Sequence, residues 1–157
     1  MSPETPGDTA LRAEETAPAP TVVLPRAGGP PLRLRAALAH EVRVGSAETP
    51  LARVALWRRT GRSGWAVAAE WRLAGALRRE ARLATDLEAA AVALEAICAK
   101  ACEDVAQGTR GPRPERGDAL RRLGRAVAGR RALLALEEAV GAALADWATA
   151  AAGEAGR

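Results

Sequence analysis

Charge in this chain is segregated along the sequence into four alternating blocks: residues 50–82 sum to +6, 83–108 to −4, 109–131 to +6 and 132–157 to −3. Any fold that lays these blocks side by side must match their signs or bear like-charge repulsion, so they constrain topology before they indicate a ligand. An apolar pattern underlies the charge. Leu73, Leu77, Ala84, Leu87, Ala91, Leu94, Cys98, Ala101 and Val105 recur at alternating steps of four and three, with Glu80 in the one polar slot. That spacing predicts a heptad seam on a single helix from about Trp65 to Gln107, with Glu80 as a register or pairing device.

Gly108, Gly111, Pro112 and Pro114 end this predicted helix, and a second begins near Asp118. Its first stripe is Leu120, Leu123 and Val127, and its second Leu133, Leu136, Val140 and Trp147. The register slips at Gly129, Arg130 and Arg131, which predicts a local bend. An antiparallel hairpin brings Asp86, Glu88, Glu95, Glu103 and Asp104 opposite Arg116, Arg121, Arg122, Arg125, Arg130 and Arg131. At its far end Arg72, Arg78, Arg79 and Arg82 come opposite Glu137, Glu138 and Asp146, whereas a parallel pair sets like charges together. Alanine and cysteine in the seam bury little area each, so this reading calls for self-association, with Trp65, Trp71 and Trp147 closing one end.

Upstream, residues 1–30 read as a disordered or extended arm, rich in proline and poor in apolar residues except the β-prone run Thr21–Leu24. Residues 31–62 read as a short helical segment. Leu34, Ala37, Leu38 and Val42 suit one helix, the alternation in Glu41–Val44 leaves a strand ending open, and Leu51–Arg59 suits a second helix, broken by glycines 61 and 64. Residues 63–150 then form the hairpin and 151–157 a frayed tail. The expected fold class is all-α: a long antiparallel helical hairpin with short N-terminal helices, assembling as a four-helix bundle or larger helical oligomer.

Composition supports helix over sheet, since alanine, leucine, arginine and glutamate dominate and tyrosine and phenylalanine are absent. The pI near 10.3 overstates the attraction to phosphate, because the net charge is only +4 and the pI reflects arginine's very high pKa. No apolar run reaches the ~18 residues of a membrane span. Acidic residues, Pro3 and Pro6 stand where an export signal needs a basic flank and an apolar core. Cys98 and Cys102, four apart, share a helix face and suit reduced thiols in a cytoplasmic protein.

Catalysis has little to work with. His40 is the only histidine, no serine or cysteine has a base at useful spacing, and no phosphate-binding glycine loop is present, so the expectation is a protein that is not an enzyme and needs no cofactor. Glu95, Cys98 and Cys102 share a turn and a half of helix but match no zinc or iron–sulfur spacing, and no metal is expected. The leading functional reading is a helical interaction or assembly subunit acting through self-association and a protein partner. A DNA- or RNA-binding alternative takes residues 50–79 as a loose helix-turn-helix, and a second alternative is a small accessory subunit of an enzyme complex. The partner or nucleic-acid surface would be Arg53, Arg58, Arg59, Arg62, Arg72, Arg78 and Arg79, and the helix-pairing charges Arg121, Arg122, Arg125, Asp86, Glu95, Glu137 and Glu138.

Overall fold

A computed structural model of the chain describes residues 19–109 and 118–155. Five strands come first: β1 (Thr21–Leu24), β2 (Leu32–Gly45), β3 (Pro50–Arg59), β4 (Trp65–Leu73) and β5 (Ala76–Ala84). Two helices follow, α1 (Leu87–Thr109) and α2 (Asp118–Ala155). The strands form one antiparallel sheet in sequence order, curled into a half-barrel, with the helices packed on one face. The molecule is therefore a mixed α/β fold, and the expected all-α bundle is overturned.

The correction has a local cause. Along β4, Trp65, Val67, Ala69, Trp71 and Leu73 alternate with Ala66, Ala68, Glu70 and Arg72, which is a strand's period of two. Leu73, Leu77 and Ala84 also fit a heptad, but they lie on β4 and β5, joined by a two-residue turn at Ala74-Gly75. Both turn residues have positive φ, 50° and 82°, the conformation of the tightest hairpins. The segment 31–62, expected to be helical, is instead the β2–β3 hairpin, and the expected helix-turn-helix at 50–79 is β3, β4 and the start of β5. Sheet pairing overrides the helix preference of alanine, leucine and arginine here.

β2 is long enough to serve two partners. Leu32–Arg35 pairs with β1, and Ala36–Gly45 pairs with β3 through a bulge at Leu38/His40. The curl carries β1 across the sheet face opposite the helices, where Leu24 packs with Ala66 and Ala81 in a small core flanked by Val22, Leu32, Leu34 and Trp57. The backbone N–H of Ala27 donates to Glu80 Oε2 at 3.2 Å, tying the loop after β1 to β5. Glu80, 6% exposed, is thus a strand carboxylate with a backbone partner and not a polar slot in a helical seam.

The main core lies between the other face and the helices. Val54, Leu56, Val67, Ala69 and Trp71 meet Leu94, Ile97, Ala101, Leu136, Ala139, Ala143 and Trp147. α1 and α2 run antiparallel, with Val105 against Gly129 near one end and Cys98 close enough to Glu137 to feel its charge further along. A Cβ on Gly129 would stand 2.8 Å from Val105 Cγ1, so glycine sets the close approach there, and α2 stays helical through residues 129–131 without unwinding. A coiled coil of four bare helices is excluded as the fold, because both helices already spend an apolar face on the sheet.

Asp86 starts α1. Its Oδ1 accepts the Ala89 N–H at 2.7 Å, and Thr85 Oγ1 donates to its Oδ2 at 3.0 Å. The Ala89 N–H first, then the Thr85 hydroxyl, hold the carboxyl below its ordinary value. A carboxyl depressed in the folded state stabilises it above the unfolded pKa, and that contribution is lost as pH falls through the folded value. Asp86→Ala should therefore lower the thermal midpoint at neutral pH, and the difference from wild type should shrink on acidification. A constant difference between neutral and strongly acidic pH would count against the cap.

Candidate functional site

The sequence Leu32-Arg33-Leu34-Arg35 alternates on β2, so with Leu32 and Leu34 turned into the small core, Arg33 and Arg35 are exposed. Arg59 ends β3 opposite Ala36, and Arg62 lies in the following turn. One backbone bond fixes that turn against β2, Thr60 N–H donating to the Arg35 carbonyl at 2.9 Å, and another closes the turn itself, Arg59 N–H donating to the Gly64 carbonyl at 3.1 Å. Together Arg33, Arg35, Arg59 and Arg62 line an open cleft of about 430 Å³, completed by Leu34, Thr60 and Gly61. No carboxylate among the described residues lines it. Among the described residues, none of these four guanidinium groups has an ion-pair partner within 4 Å.

The neighbouring arginines are spent differently. Arg43, Arg53, Glu70 and Arg79 form one cross-strand row over β2, β3, β4 and β5. Glu41 binds Arg43, with Nη2 to Oε2 at 2.7 Å, and also pairs with Arg53. Glu70 lies 3.8 Å from Arg53 Nη1 and 3.4 Å from Arg79 Nε. This ladder borders a second, smaller cleft of about 140 Å³ under Val22–Pro25, with Ala55, Trp57 and Ala68 on its sheet side. Its arginines already have carboxylates, which leaves the four-arginine cleft as the less compensated charge.

The seven arginines expected to form one partner surface are thus divided by the fold. Arg59 and Arg62 enter the open cleft, while Arg53 and Arg79 belong to the ladder. Arg58, opposite Trp65, sets its guanidinium carbon 6.0 Å from that ring's centroid. Arg72 is partly buried, its Nε without a hydrogen-bond partner among the described residues, and Arg78 lines a groove with Asp104 and Arg125 between the β4–β5 turn and the helices. Arg33 and Arg35 were missed by sequence reasoning, although the strict Leu-Arg alternation marks a strand with arginines on one face.

Of the expected helix-pairing charges, Asp86 caps α1, and Glu95, Glu137, Glu138, Arg121 and Arg125 are exposed; Arg122 is half-buried. Among the described residues no ion pair within 4 Å joins α1 to Arg121, Arg125, Arg130 or Arg131. His40 Nε2 stands 3.0 Å from Asp146 Oδ2, an ion-pair distance at an angle that makes no hydrogen bond. Cys98 and Cys102 are free, and burial, followed by the charges of Cys102 and Glu137, pushes the Cys98 thiol up. No cluster of three or more histidine, cysteine or carboxylate side chains suited to a metal occurs among the described residues, and no described helix is long and apolar enough to cross a membrane.

Comparison with protein-family models, with curated proteins and with solved structures finds no match for this chain. The reading as a purely helical assembly subunit falls with the five-stranded sheet. The helix-turn-helix form of nucleic-acid binding falls because residues 50–79 are strands.

Proposed function

We propose that this chain is a binding domain for an anion carrying more than one phosphate group, held by Arg33, Arg35, Arg59 and Arg62. The observation that carries the reading is the convergence of four arginines on one cleft where, among the described residues, they have no ion-pair partner and no acid beside them. Guanidinium forks match phosphate oxygens two at a time, and a multivalent anion relieves the mutual repulsion of the four charges. The reading is one of binding: the described lining beside the guanidiniums is Leu34, Gly61 and the Thr60 hydroxyl, which suit contact with an anion. Two free cysteines accord with a reducing, cytoplasmic setting.

Calorimetric titration with pyrophosphate and tripolyphosphate tests this at low and at physiological salt. Binding should be present at low salt, weaken as salt screens the exposed charges, and fall about ten-fold or more in the Arg59→Glu/Arg62→Glu double variant. A random duplex titrated in parallel distinguishes a nucleic-acid backbone from a free polyphosphate. No binding of either phosphate at low salt, or equal binding by the double variant, defeats the proposal.

A further inference from the structure

α2 carries a second stripe that no other described element covers. Its sheet-facing side is Gly129, Ala132, Leu136, Ala139, Val140, Ala143 and Trp147, all buried. At 3.6 residues per turn, the opposite side is Leu120, Leu123, Val127, Leu134, Gly141, Ala145 and Ala148, all exposed. Leu120 is 78% exposed, Leu123 61%, and Val127 and Leu134 each 52%. Single exposed apolar residues are ordinary, but a stripe of four large ones along one helix face marks an interaction surface.

We propose that this stripe pairs with the same stripe of a second copy, antiparallel, about a two-fold axis at Leu134. The argument for a second copy is that the stripe is complementary to its own reverse. With Leu134 meeting the partner's Leu134, Leu120 comes level with the partner's Ala148, Leu123 with the partner's Ala145, and Val127 with the partner's Gly141. Large side chains therefore meet small ones in every layer away from the axis, as ridges meet grooves. Charge agrees independently. Arg130 and Arg131 flank the stripe on one side of Leu134, and Glu137 and Glu138 on the other. Reversal brings Arg130 beside the partner's Glu137 and Arg131 beside the partner's Glu138, and symmetry repeats both pairs. A parallel pair would set Arg130 and Arg131 against their own copies. None of these four residues is engaged in an ion pair within its own chain among the described residues. This interface leaves the α2 contact with the sheet intact and so differs from the bundle of bare helices excluded above.

Sedimentation equilibrium or light scattering of the full chain provides the test. The wild type should be a dimer at high micromolar concentration. Leu134→Glu, which sets two carboxylates against each other at the axis, should weaken association about ten-fold or more while leaving far-UV circular dichroism and monomer unfolding unchanged, because Leu134 is half exposed. The variant Arg130→Glu/Arg131→Glu and the variant Glu137→Arg/Glu138→Arg should each be monomeric, and their equimolar mixture should form a heterodimer. A monomeric wild type overturns the proposal. So does a dimer indifferent to Leu134→Glu, or a mixture of the two charge variants that stays monomeric. Phosphate binding by the monomeric Leu134→Glu variant is a separate readout, so failure here and failure of the anion site are distinguishable.

Discussion

Leu136→Ala should remove about 2–5 kcal/mol of folding stability, toward the upper end of that range. Leu136 is fully buried on α2, in the cluster joining that helix to β3, β4 and α1. The cost has two parts: the transfer energy of the lost carbons, and the cavity left if the surroundings do not relax. Relaxation is poor here. Of the four buried α2 residues nearest in sequence, Ala132, Ala135 and Ala139 have no rotamers with which to fill space, and Val140 is β-branched and stiff. Urea unfolding should show a lower midpoint with an unchanged slope. Leu134→Ala, two residues away on the exposed face, should shift monomer stability by less than about 0.5 kcal/mol when measured at dilution. A loss below about 1 kcal/mol at Leu136 would mean that α2 does not lie on the sheet as described.

That contrast between Leu134 and Leu136 also shows why only part of the fold was legible in the sequence. In the helical half, alanine, leucine and valine recur at helical spacing, and glycine and proline after Gln107 end the first run. Local periodicity and local propensity agree there. In residues 31–84 they disagree. β4 has Ala66 and Ala68 on the face away from the helices because β1 folds over that side, so alternation of apolar with polar residues is weakened by burial on both faces. Alanine, arginine and leucine favour helix locally, and the three-and-four spacing of Leu73, Leu77, Glu80 and Ala84 continues by coincidence into α1. Only partner strands distant in sequence decide the outcome, and no local pattern reports them.

The site shows the same division. Arg59 and Arg62 stood out as basic residues beside a glycine turn, yet the cleft also needs Arg33 and Arg35, which reach it only through the pairing of β2 with β3 and the curl that leaves their side of β2 outward. Charge blocks, which count residues along the chain, could not separate these from Arg53 and Arg79, whose carboxylates arrive on neighbouring strands. A guanidinium count is a one-dimensional quantity, and compensation is a three-dimensional one.

Gly64→Val is expected to destabilise the fold by several kcal/mol and to disorganise the anion cleft at the same time. Gly64 has φ of +112°, a conformation strained for any L side chain and most of all for a β-branched one. A Cβ there would lie 2.7 Å from the carbonyl oxygen of Ala84, a backbone atom at the end of β5 that cannot swing aside. Strain of this kind costs about 1–3 kcal/mol by itself, and the clash adds to it. The Gly64 carbonyl also accepts the Arg59 N–H, so moving residue 64 pulls on the bond that closes the turn carrying Arg62. Gly75, in the β4–β5 turn outside the cleft, also has positive φ at +82° but nothing within 4 Å of its would-be Cβ, and it is the control. Gly75→Asn should cost less than about 1 kcal/mol, because asparagine tolerates positive φ, and it should leave the arginines in place. Thermal unfolding with pyrophosphate titration on both variants reads the two effects together. Loss of stability with retained affinity in Gly64→Val would detach the turn from the site, whereas loss of both, with Gly75→Asn near wild type, places the binding geometry in the closure of that one hairpin.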